Sequence, residues 1–282
     1  MPTLNLVERL SQVLPLWAIG AVLIVISILA LECGAWVARR QSSGRPTASD
    51  GNNEKSDVQG YVVGAIFGLL AFLVGLTFSI ALDRYDSRRG MVAEEATAIS
   101  TAYLRADLFD EPVRSQLRQT MREYARTRIV PDGLGKDEID KREVGSEALR
   151  STLWQQTHEA VMPVRETELA SYFIEAMNNM LDVGTRRSLA GRAHIPPQIV
   201  DMQLIYLVVA AGVLGYLLGA ERSRRRYASS LLIVLFVLAF VMILDVDQPR
   251  AGSIKVSQRG IEQLVAQMDA DAKREALAAP AR

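Results

Sequence analysis

Hydrophobic residues are concentrated in four long stretches of the chain, at about 16–38, 60–82, 202–220 and 228–244. Each stretch approaches the ~20 apolar residues that an α-helix needs to cross the hydrocarbon core of a bilayer. Glu32 is the only charged side chain that interrupts them. The pattern predicts an integral membrane protein with four transmembrane helices, and it excludes a soluble enzyme as the first interpretation.

The segment between the second and third stretches is polar and helical in its pattern. Val113, Leu117 and Met121 recur at helical spacing, and no useful length alternates with the two-residue period of a strand. No helix breaker lies between Leu82 and Arg89, and the next proline is Pro112, so the second helix is predicted to continue out of the membrane as a long rod. The chain is therefore predicted to be all-α.

Further helices of this segment are expected to begin after Asp110 and to cover about 137–161 and 164–190. The insertion between the second and third transmembrane helices is thus predicted to be a helical extramembrane domain. The predicted boundaries are an N-terminal interfacial segment at 1–15, a first transmembrane hairpin at 16–82, the helical extramembrane domain at 83–200, a second transmembrane hairpin at 201–247 and a polar C-terminal tail at 248–282.

Small residues follow one side of the second predicted transmembrane helix. Apolar side chains gain little by leaving lipid, so helices in membranes associate by close backbone approach at small residues. This side is therefore predicted to pack tightly against another helix or against a second copy of the chain. The predicted packing glycines are Gly60, Gly64, Gly68 and Gly75 in this helix, with Gly215 and Gly219 in the third.

Three larger apolar residues, Phe67, Val74 and Phe78, line the flank of this small-residue side. Helix packing is the simpler interpretation of their spacing. The functional alternative is a hydrophobic constriction that closes a pore by excluding water. The sequence leaves both interpretations open.

Charged residues gather where two of the predicted transmembrane helices end. Asp245, Asp247 and Arg250 follow the fourth helix, and Asp83 and Asp86 follow the second. Two antiparallel hairpins return these two ends to one side of the membrane, so pairing between them is expected. One interpretation is a salt-bridge network that sets helix register. The other is an ion-attracting surface or a divalent-cation site, because neighbouring carboxylates supply the oxygen ligands that calcium prefers.

Two other acidic positions have simpler explanations. Glu32 is a functional candidate because it lies inside a predicted transmembrane helix, but Arg39 is close enough to pair with it near the membrane surface. Glu94 and Glu95 are expected on a solvated face of the long helix or in pairs with the neighbouring arginines.

Composition removes several classes of function. The 32 Lys+Arg balance the 32 Asp+Glu without a basic stripe, so no nucleic-acid partner is expected. Cys33 is the only cysteine, and His158 and His194 lie in unrelated surroundings, so no metal site or cofactor is expected. No nucleotide-binding loop or hydrolase motif is present, and we therefore do not expect an enzyme.

Two motifs carry a family resemblance. The run from Leu69 to Arg89, LLAFLVGLTFSIALDRYDSRR, and the closing run DVDQPRAG from Asp245 to Gly252 resemble the signature of the bacterial bestrophin-like domain family. The resemblance covers about 16–265. It implies four transmembrane helices with a helical insertion and a remote kinship to bestrophins, which are pentameric ion channels whose second helix lines the pore.

By the same resemblance, Phe67, Val74 and Phe78 would form a channel neck, and Asp245 and Asp247 would lie near an ion-access surface. The resemblance also implies the bacterial inner membrane as location, the lipid bilayer as environment, a homo-oligomer, and ions as the transported species. The chain lacks the dense acidic cluster of the calcium clasp of animal bestrophins, so calcium gating is not expected.

Two questions stay open at this point. The predicted loops 39–59 and 221–227 carry eight Lys/Arg in about 28 residues, which places them in the cytoplasm and residues 83–200 outside by the positive-inside rule. Bestrophins have the opposite arrangement. The alternative to a channel is a non-conducting scaffold or sensor whose helical domain binds a partner.

Overall fold

The computed structural model describes residues 15–42, 52–131, 134, 136–218, 223–248 and 252–278. These residues form helices and turns with no strand, so the predicted all-α class is confirmed for them. The helices are α1 (Leu16–Ser42), α2 (Asn52–Arg105), α3 (Val113–Thr127), α4 (Lys136–Val161), α5 (Glu168–Arg192), α6 (Pro197–Leu218), α7 (Ser223–Asp247) and α8 (Arg259–Ala278), with 3-10 turns at Ala106–Leu108 and Met162–Val164.

Four helical segments are long and apolar enough to cross a membrane, as the hydrophobic pattern predicts. They are Leu16–Gln41, Val58–Leu108, Glu168–Leu218 and Tyr227–Asp247. The predicted interfacial segment at 1–15 lies outside the described residues except for Pro15.

The chain divides into two compact units. The first contains α1, the beginning of α2, α6 and α7, and it comprises Met1–Asp83, His194–Gln248 and Gly252–Ile254. The second contains the rest of α2, α3, α4, α5 and α8, and it comprises Arg84–Ala193, Pro249–Ala251 and Lys255–Arg282.

Within the first unit, α1 packs along α6 and also contacts α7. Glycines permit this approach: a Cβ atom on Gly215 would lie 1.9 Å from the carbonyl oxygen of Leu31, and one on Gly34 would lie 2.0 Å from the carbonyl oxygen of Gly212. Both positions are occupied by the neighbouring backbone, so no larger residue fits without separating the helices. Gly219 lies outside the described residues.

Polar contacts also join α6 to α2 inside the first unit. The Gln203 side-chain amide donates to the carbonyl oxygen of Leu73 at 2.8 Å and to the Thr77 hydroxyl at 2.7 Å. Tyr206 donates its hydroxyl proton to the carbonyl oxygen of Ile66 at 3.2 Å. Such hydrogen bonds between helices stabilise a bundle in lipid, where no water competes for the donors.

The second unit has a conventional hydrophobic core. α3 packs on α4 and α8, and α4 packs on α5. The largest side chains that are fully enclosed include Tyr124, Phe173, Leu117, Met121 and Met177.

The C-terminal region corrects the prediction of a polar tail at 248–282. Residues Arg259–Ala278 form α8, and Ile261, Leu264, Val265 and Met268 on one side of it are buried. Their spacing is that of one face of a helix. The opposite face of α8 is polar, as predicted. The helix is amphipathic, and its apolar face alone packs into the core.

Candidate functional site

The predicted packing glycines of α2 do not pack against the chain itself. A Cβ atom on Gly60, Gly64, Gly68 or Gly75 would have no neighbouring atom within 4 Å among the described residues, apart from the local backbone of the helix. Gly215, by contrast, lies against the backbone of α1. The small-residue side of α2 is therefore a surface that none of the described residues of the single chain covers.

The three candidate neck residues lie at the edge of this uncovered surface. Phe67, Val74 and Phe78 are each half-buried. The Phe67 ring also packs on the ring of Phe236 in α7, with 5.6 Å between ring centroids. Phe67 is thus held within the chain, whereas no ring contact of Phe78 is found among the described residues.

Asp245 closes the turn that follows α7. Its carboxylate accepts hydrogen bonds from the backbone N–H groups of Ser253 at 2.7 Å and Ile254 at 3.2 Å, and from the Ser253 hydroxyl at 2.5 Å. A Cβ atom on Gly252 would lie 2.4 Å from the carbonyl oxygen of Asp245, so the turn requires glycine there. The carboxylate of Asp245 is therefore occupied by two backbone N–H donors and one hydroxyl donor from the residues that follow the motif.

Asp247 holds the segment before α6. Its two carboxylate oxygens lie 3.1 and 3.2 Å from the backbone nitrogen of Ile195, and one lies 3.4 Å from Nδ1 of His194. Asp83 and Asp86 are exposed and form no hydrogen bond or ion pair with any described residue. Arg250, a residue of the expected charged cluster, lies outside the described residues, so the pairing of these ends stays a prediction.

Glu32 pairs with Arg39, as its position near the end of α1 suggests. The two charged groups are 3.5 Å apart and each side chain is 50% exposed. Arg39 also donates from Nε to the carbonyl oxygen of Ala35 at 3.1 Å. The pair is consistent with a carboxylate directed toward a cation at the helix end.

The most enclosed charged group lies in the second unit, where the sequence suggested a solvated face. Glu95 is 0% exposed. Its Oε1 accepts a hydrogen bond from Nε of Arg128 at 2.6 Å, and its Oε2 accepts one from Nη1 of Arg187 at 2.5 Å. The Tyr124 hydroxyl donates to Oε1 at 3.3 Å. One carboxylate therefore binds two guanidinium groups inside the core.

A periodicity signal for this burial exists in the sequence. Val92, Ile99 and Ala102 are buried, and Glu95 lies three residues after the first and four before the second. These intervals place all four on one face of a helix. The adjacent pair Glu94-Glu95 obscured the signal, because Glu94 on the outer side is 42% exposed and pairs with Arg186 at 2.8 Å.

Protonation states in this cluster follow from burial. Burial, reinforced by the neighbouring Glu95 carboxylate, raises the pKa of Tyr124 to about 12, so the phenol stays neutral and donates its proton. Burial lowers the pKa of Arg128, but the Glu95 carboxylate and Tyr124 more than offset this and keep the pKa above its ordinary value. The cluster therefore carries one negative and two positive charges at neutral pH.

Backbone groups and one glutamine complete the cluster. Arg128 donates from Nη2 to the carbonyl oxygen of Gly184 at 3.1 Å. A Cβ atom on Gly184 would lie 2.4 Å from the Tyr124 hydroxyl, so the close packing requires glycine. Gln258, just before α8, donates to the carbonyl oxygen of Val130 at 2.6 Å and accepts from its N–H at 2.9 Å. The arrangement joins α2, α3, α5 and the start of α8.

No group of three or more His, Cys, Asp or Glu side chains in the part of the chain that the structure describes is arranged to hold a metal ion. In the Glu95 cluster the carboxylate oxygens are already occupied by arginine and tyrosine donors. The cluster is therefore organised as an ion-pair network with a net positive charge.

Comparisons with known proteins agree with this architecture. The family model described as Bestrophin-like domain matches residues 21–261. A mutant of a bacterial Bestrophin homolog from Klebsiella pneumoniae is similar in structure, with 12% sequence identity, a TM-score of 0.59, and coverage of 90% of this chain and 98% of that chain.

Two further structures of a bacterial Bestrophin homolog from the same organism match in the same way. One, phased by Zn-SAD, has 10% identity, a TM-score of 0.59 and coverage of 89% and 97%. The other, a mutant, has 9% identity, a TM-score of 0.60 and coverage of 90% and 97%. No curated protein sequence matches the chain. The family match extends over most of its length, and the protein therefore belongs to the Bestrophin-like domain family.

Proposed function

We propose that this protein is an oligomeric ion channel of the bacterial inner membrane, with residues 83–200 as a helical extramembrane insertion. The observation that carries the proposal is the exposed side of α2. The apolar window of Val58–Leu108 is only 17% buried, against 28% for Leu16–Gln41, 39% for Glu168–Leu218 and 44% for Tyr227–Asp247. Among the described residues, the second membrane helix is thus the one that its own chain covers least.

The exposed side of α2 has the composition of a contact between membrane helices. Its glycines leave the backbone accessible, and close backbone approach is how apolar helices associate in lipid. A ring of copies would bring each α2 beside the next and enclose a central path. Phe78, at the edge of this side, would then provide the hydrophobic constriction.

An acidic group on α2, at the last residue of its part in the first unit, is available to attract cations in such a ring. Asp83 is exposed and has no hydrogen-bond or ion-pair partner among the described residues, and it lies four residues after Ser79 on the same side of α2. Asp245 and Asp247 are less suitable, because backbone N–H groups already occupy their carboxylates. We therefore assign the ion-attracting role to Asp83 in preference to Asp245 and Asp247.

Ion flux and oligomer size test this proposal together. The full-length protein in detergent should have the native mass of a ring, with five copies expected from the resemblance, and should conduct ions in planar bilayers. Phe78→Ala should change the unitary conductance, whereas Phe72→Ala, on the opposite edge of the glycine side and 64% exposed, should change it less. Asp83→Asn should reduce cation conductance.

A second pair of variants tests the contact between copies. Gly68→Ile places a branched side chain on the exposed side and should lower the oligomer's native mass. Leu69→Ile keeps the bulk of an adjacent exposed residue and should leave the mass unchanged. Folded protein that is monomeric or dimeric and electrically silent would contradict the channel and favour a scaffold or sensor whose helical unit binds a partner.

A further inference from the structure

A small cavity lies between α4 and α5 in the second unit. Its volume is about 170 Å³, and Arg128, Ser146, Arg150, Ser188 and Arg192 are among its lining residues. A cavity of this size accommodates several water molecules or one small ion.

Ser146 in the cavity wall lacks the partner that a buried hydroxyl normally has. The residue is 3% exposed, and its Oγ makes no hydrogen bond with any described residue. Thr152 and Thr157 on the same helix instead donate to the carbonyl oxygens four residues earlier, at 3.1 and 2.7 Å. A buried polar group left without a partner costs free energy, and a polar ligand in the cavity that accepted a hydrogen bond from this hydroxyl would remove that cost.

Three arginines (Arg128, Arg150 and Arg192) and two glutamates (Glu143 and Glu147) line the cavity, so its lining carries one positive charge in excess. Glu95 neutralises only one of its two arginine partners, Arg128 and Arg187, and therefore leaves one positive charge in surplus. A surplus charge in a desolvated site is unfavourable unless a counter-charge approaches it. Arg128 lines the cavity, so an anion bound there would supply that counter-charge.

The other two arginines differ in how firmly they are paired. Arg192 binds Glu143 at 2.6 Å and is neutralised. Arg150 is 3.6 Å from Glu147, whose side chain is 69% exposed, and its one hydrogen bond to a described residue is from Nη2 to the Thr185 hydroxyl at 2.7 Å. Arg150 therefore retains donors for a ligand.

We propose that this cavity binds a small inorganic oxyanion of the phosphate or sulfate type. Guanidinium groups match the geometry of such oxygens with paired N–H donors, and Arg150 and Arg128 would supply them. The Ser146 hydroxyl would donate the third hydrogen bond. This ligand satisfies the unpartnered hydroxyl and the surplus positive charge at the same time.

Equilibrium binding to the full-length protein in detergent tests the proposal. Isothermal titration with inorganic phosphate and with sulfate, at constant ionic strength in sodium chloride, should give saturable binding of one ion per chain. Ser146→Ala and Arg150→Gln should each weaken binding by about tenfold or more, since each removes a hydrogen bond to a charged group. Ser151→Ala, at an exposed serine on the same helix, and Arg114→Gln, at an arginine on α3 whose side chain is 40% exposed, should bind as the wild type does.

Thermal unfolding separates loss of binding from loss of folding. In buffer free of phosphate and sulfate, Ser146→Ala should be as stable as the wild type, because the substitution removes a hydroxyl that has no partner. Added phosphate should raise the wild-type melting temperature and raise that of Ser146→Ala much less.

Three results would overturn the proposal. The first is that no saturable binding is found up to about 10 mM oxyanion, a concentration that corresponds to a weak specific affinity. The second is that the two cavity variants and their controls bind equally. The third is that wild-type crystals grown with selenate show no anomalous scattering peak beside Ser146. Ion conduction enters none of these measurements, so the oxyanion site stands or falls independently of the channel.

Discussion

The Glu95 carboxylate lies 2.6 Å from Nε of Arg128, and the glutamate has no exposed surface. The two residues are 33 positions apart, on α2 and just after α3. Arg187 on α5 binds the second oxygen of the same carboxylate. The ion pair thus ties three helices of the second unit at one buried point.

Removal of the Glu95 charge should destabilise the second unit. Glu95→Gln leaves two guanidinium groups in the core without their counter-charge, and breaking a buried ion pair from one side costs about 3–5 kcal/mol. We expect a lower melting temperature by circular dichroism in detergent.

The adjacent residue provides the matched control. Glu94 pairs with Arg186, but the two side chains are 42% and 52% exposed. Exposed pairs contribute about 1 kcal/mol or less, so Glu94→Gln should leave the melting temperature nearly unchanged. Equal effects of the two substitutions would contradict the buried network.

Tyr124 should make stability depend on pH in the alkaline range. Its pKa rises from 10.0 to about 12 on folding, so the unfolded chain loses this proton first as pH rises. The contribution of Tyr124 is fully present below pH 10 and is lost between pH 10 and about 12, with a magnitude of roughly 2–3 kcal/mol.

Absorbance at the phenolate band during alkaline titration measures this pKa directly. The wild type should show one tyrosine that titrates near pH 12, and Tyr124→Phe should lack it. The free energy of unfolding should also fall less steeply above pH 10 in Tyr124→Phe. If the absorbance titration showed no tyrosine pKa above the ordinary value that disappears in Tyr124→Phe, the burial of Tyr124 beside Glu95 would be contradicted.

Two glycines in the first unit should respond differently to one added methyl group. At Gly215 the methyl would lie 1.9 Å from the carbonyl oxygen of Leu31, whereas at Gly75 it would meet no neighbour within 4 Å. Overpacking costs about 1–3 kcal/mol, more where the obstacle is backbone. Gly215→Ala should therefore lower the thermal stability of the detergent-solubilised protein, measured by fluorescence-detected gel filtration after heating.

Gly75→Ala is the comparison within the same unit: its methyl group meets no atom of the single chain within 4 Å, so the chain itself should fold with unchanged stability, and any effect should come from the proposed contact between copies. A loss of stability in monomeric Gly75→Ala protein as large as that of Gly215→Ala would mean that the exposed side of α2 is covered within a single chain.

The buried face of α8 should be needed for the stability of the second unit. Ile261 is 0% exposed and Met268 is 1% exposed, and both belong to the hydrophobic core of the second unit. Truncating either side chain to alanine should cost about 2–5 kcal/mol, as for other large-to-small changes in cores. Leu277→Ala, at a position that is 87% exposed on the same helix, should have no measurable effect. Unchanged urea unfolding curves for Ile261→Ala and Met268→Ala would contradict the packing of α8.

Most helix positions could be predicted from the sequence. The expected helices at about 137–161 and 164–190 correspond to Lys136–Val161 and Glu168–Arg192, and the second helix runs on without a break to Arg105. The candidate sites were harder to predict. The run DVDQPRAG was recognisable as a motif. Its contacts were not predictable, because Asp245 binds backbone N–H groups eight and nine residues later, and no periodicity in the sequence indicates such a pairing.

The four membrane helices follow from the sequence alone, since the length and polarity of a stretch of about 20 residues determine whether it can cross a bilayer. The small-residue side of α2 is likewise readable from spacing. The tertiary structure decided which faces are covered: it buried Glu95 between arginines 33 and 92 positions away, placed α8 in a core, and left the α2 glycines open. Burial and charge pairing depend on contacts between distant segments, and these contacts have no local pattern in the sequence.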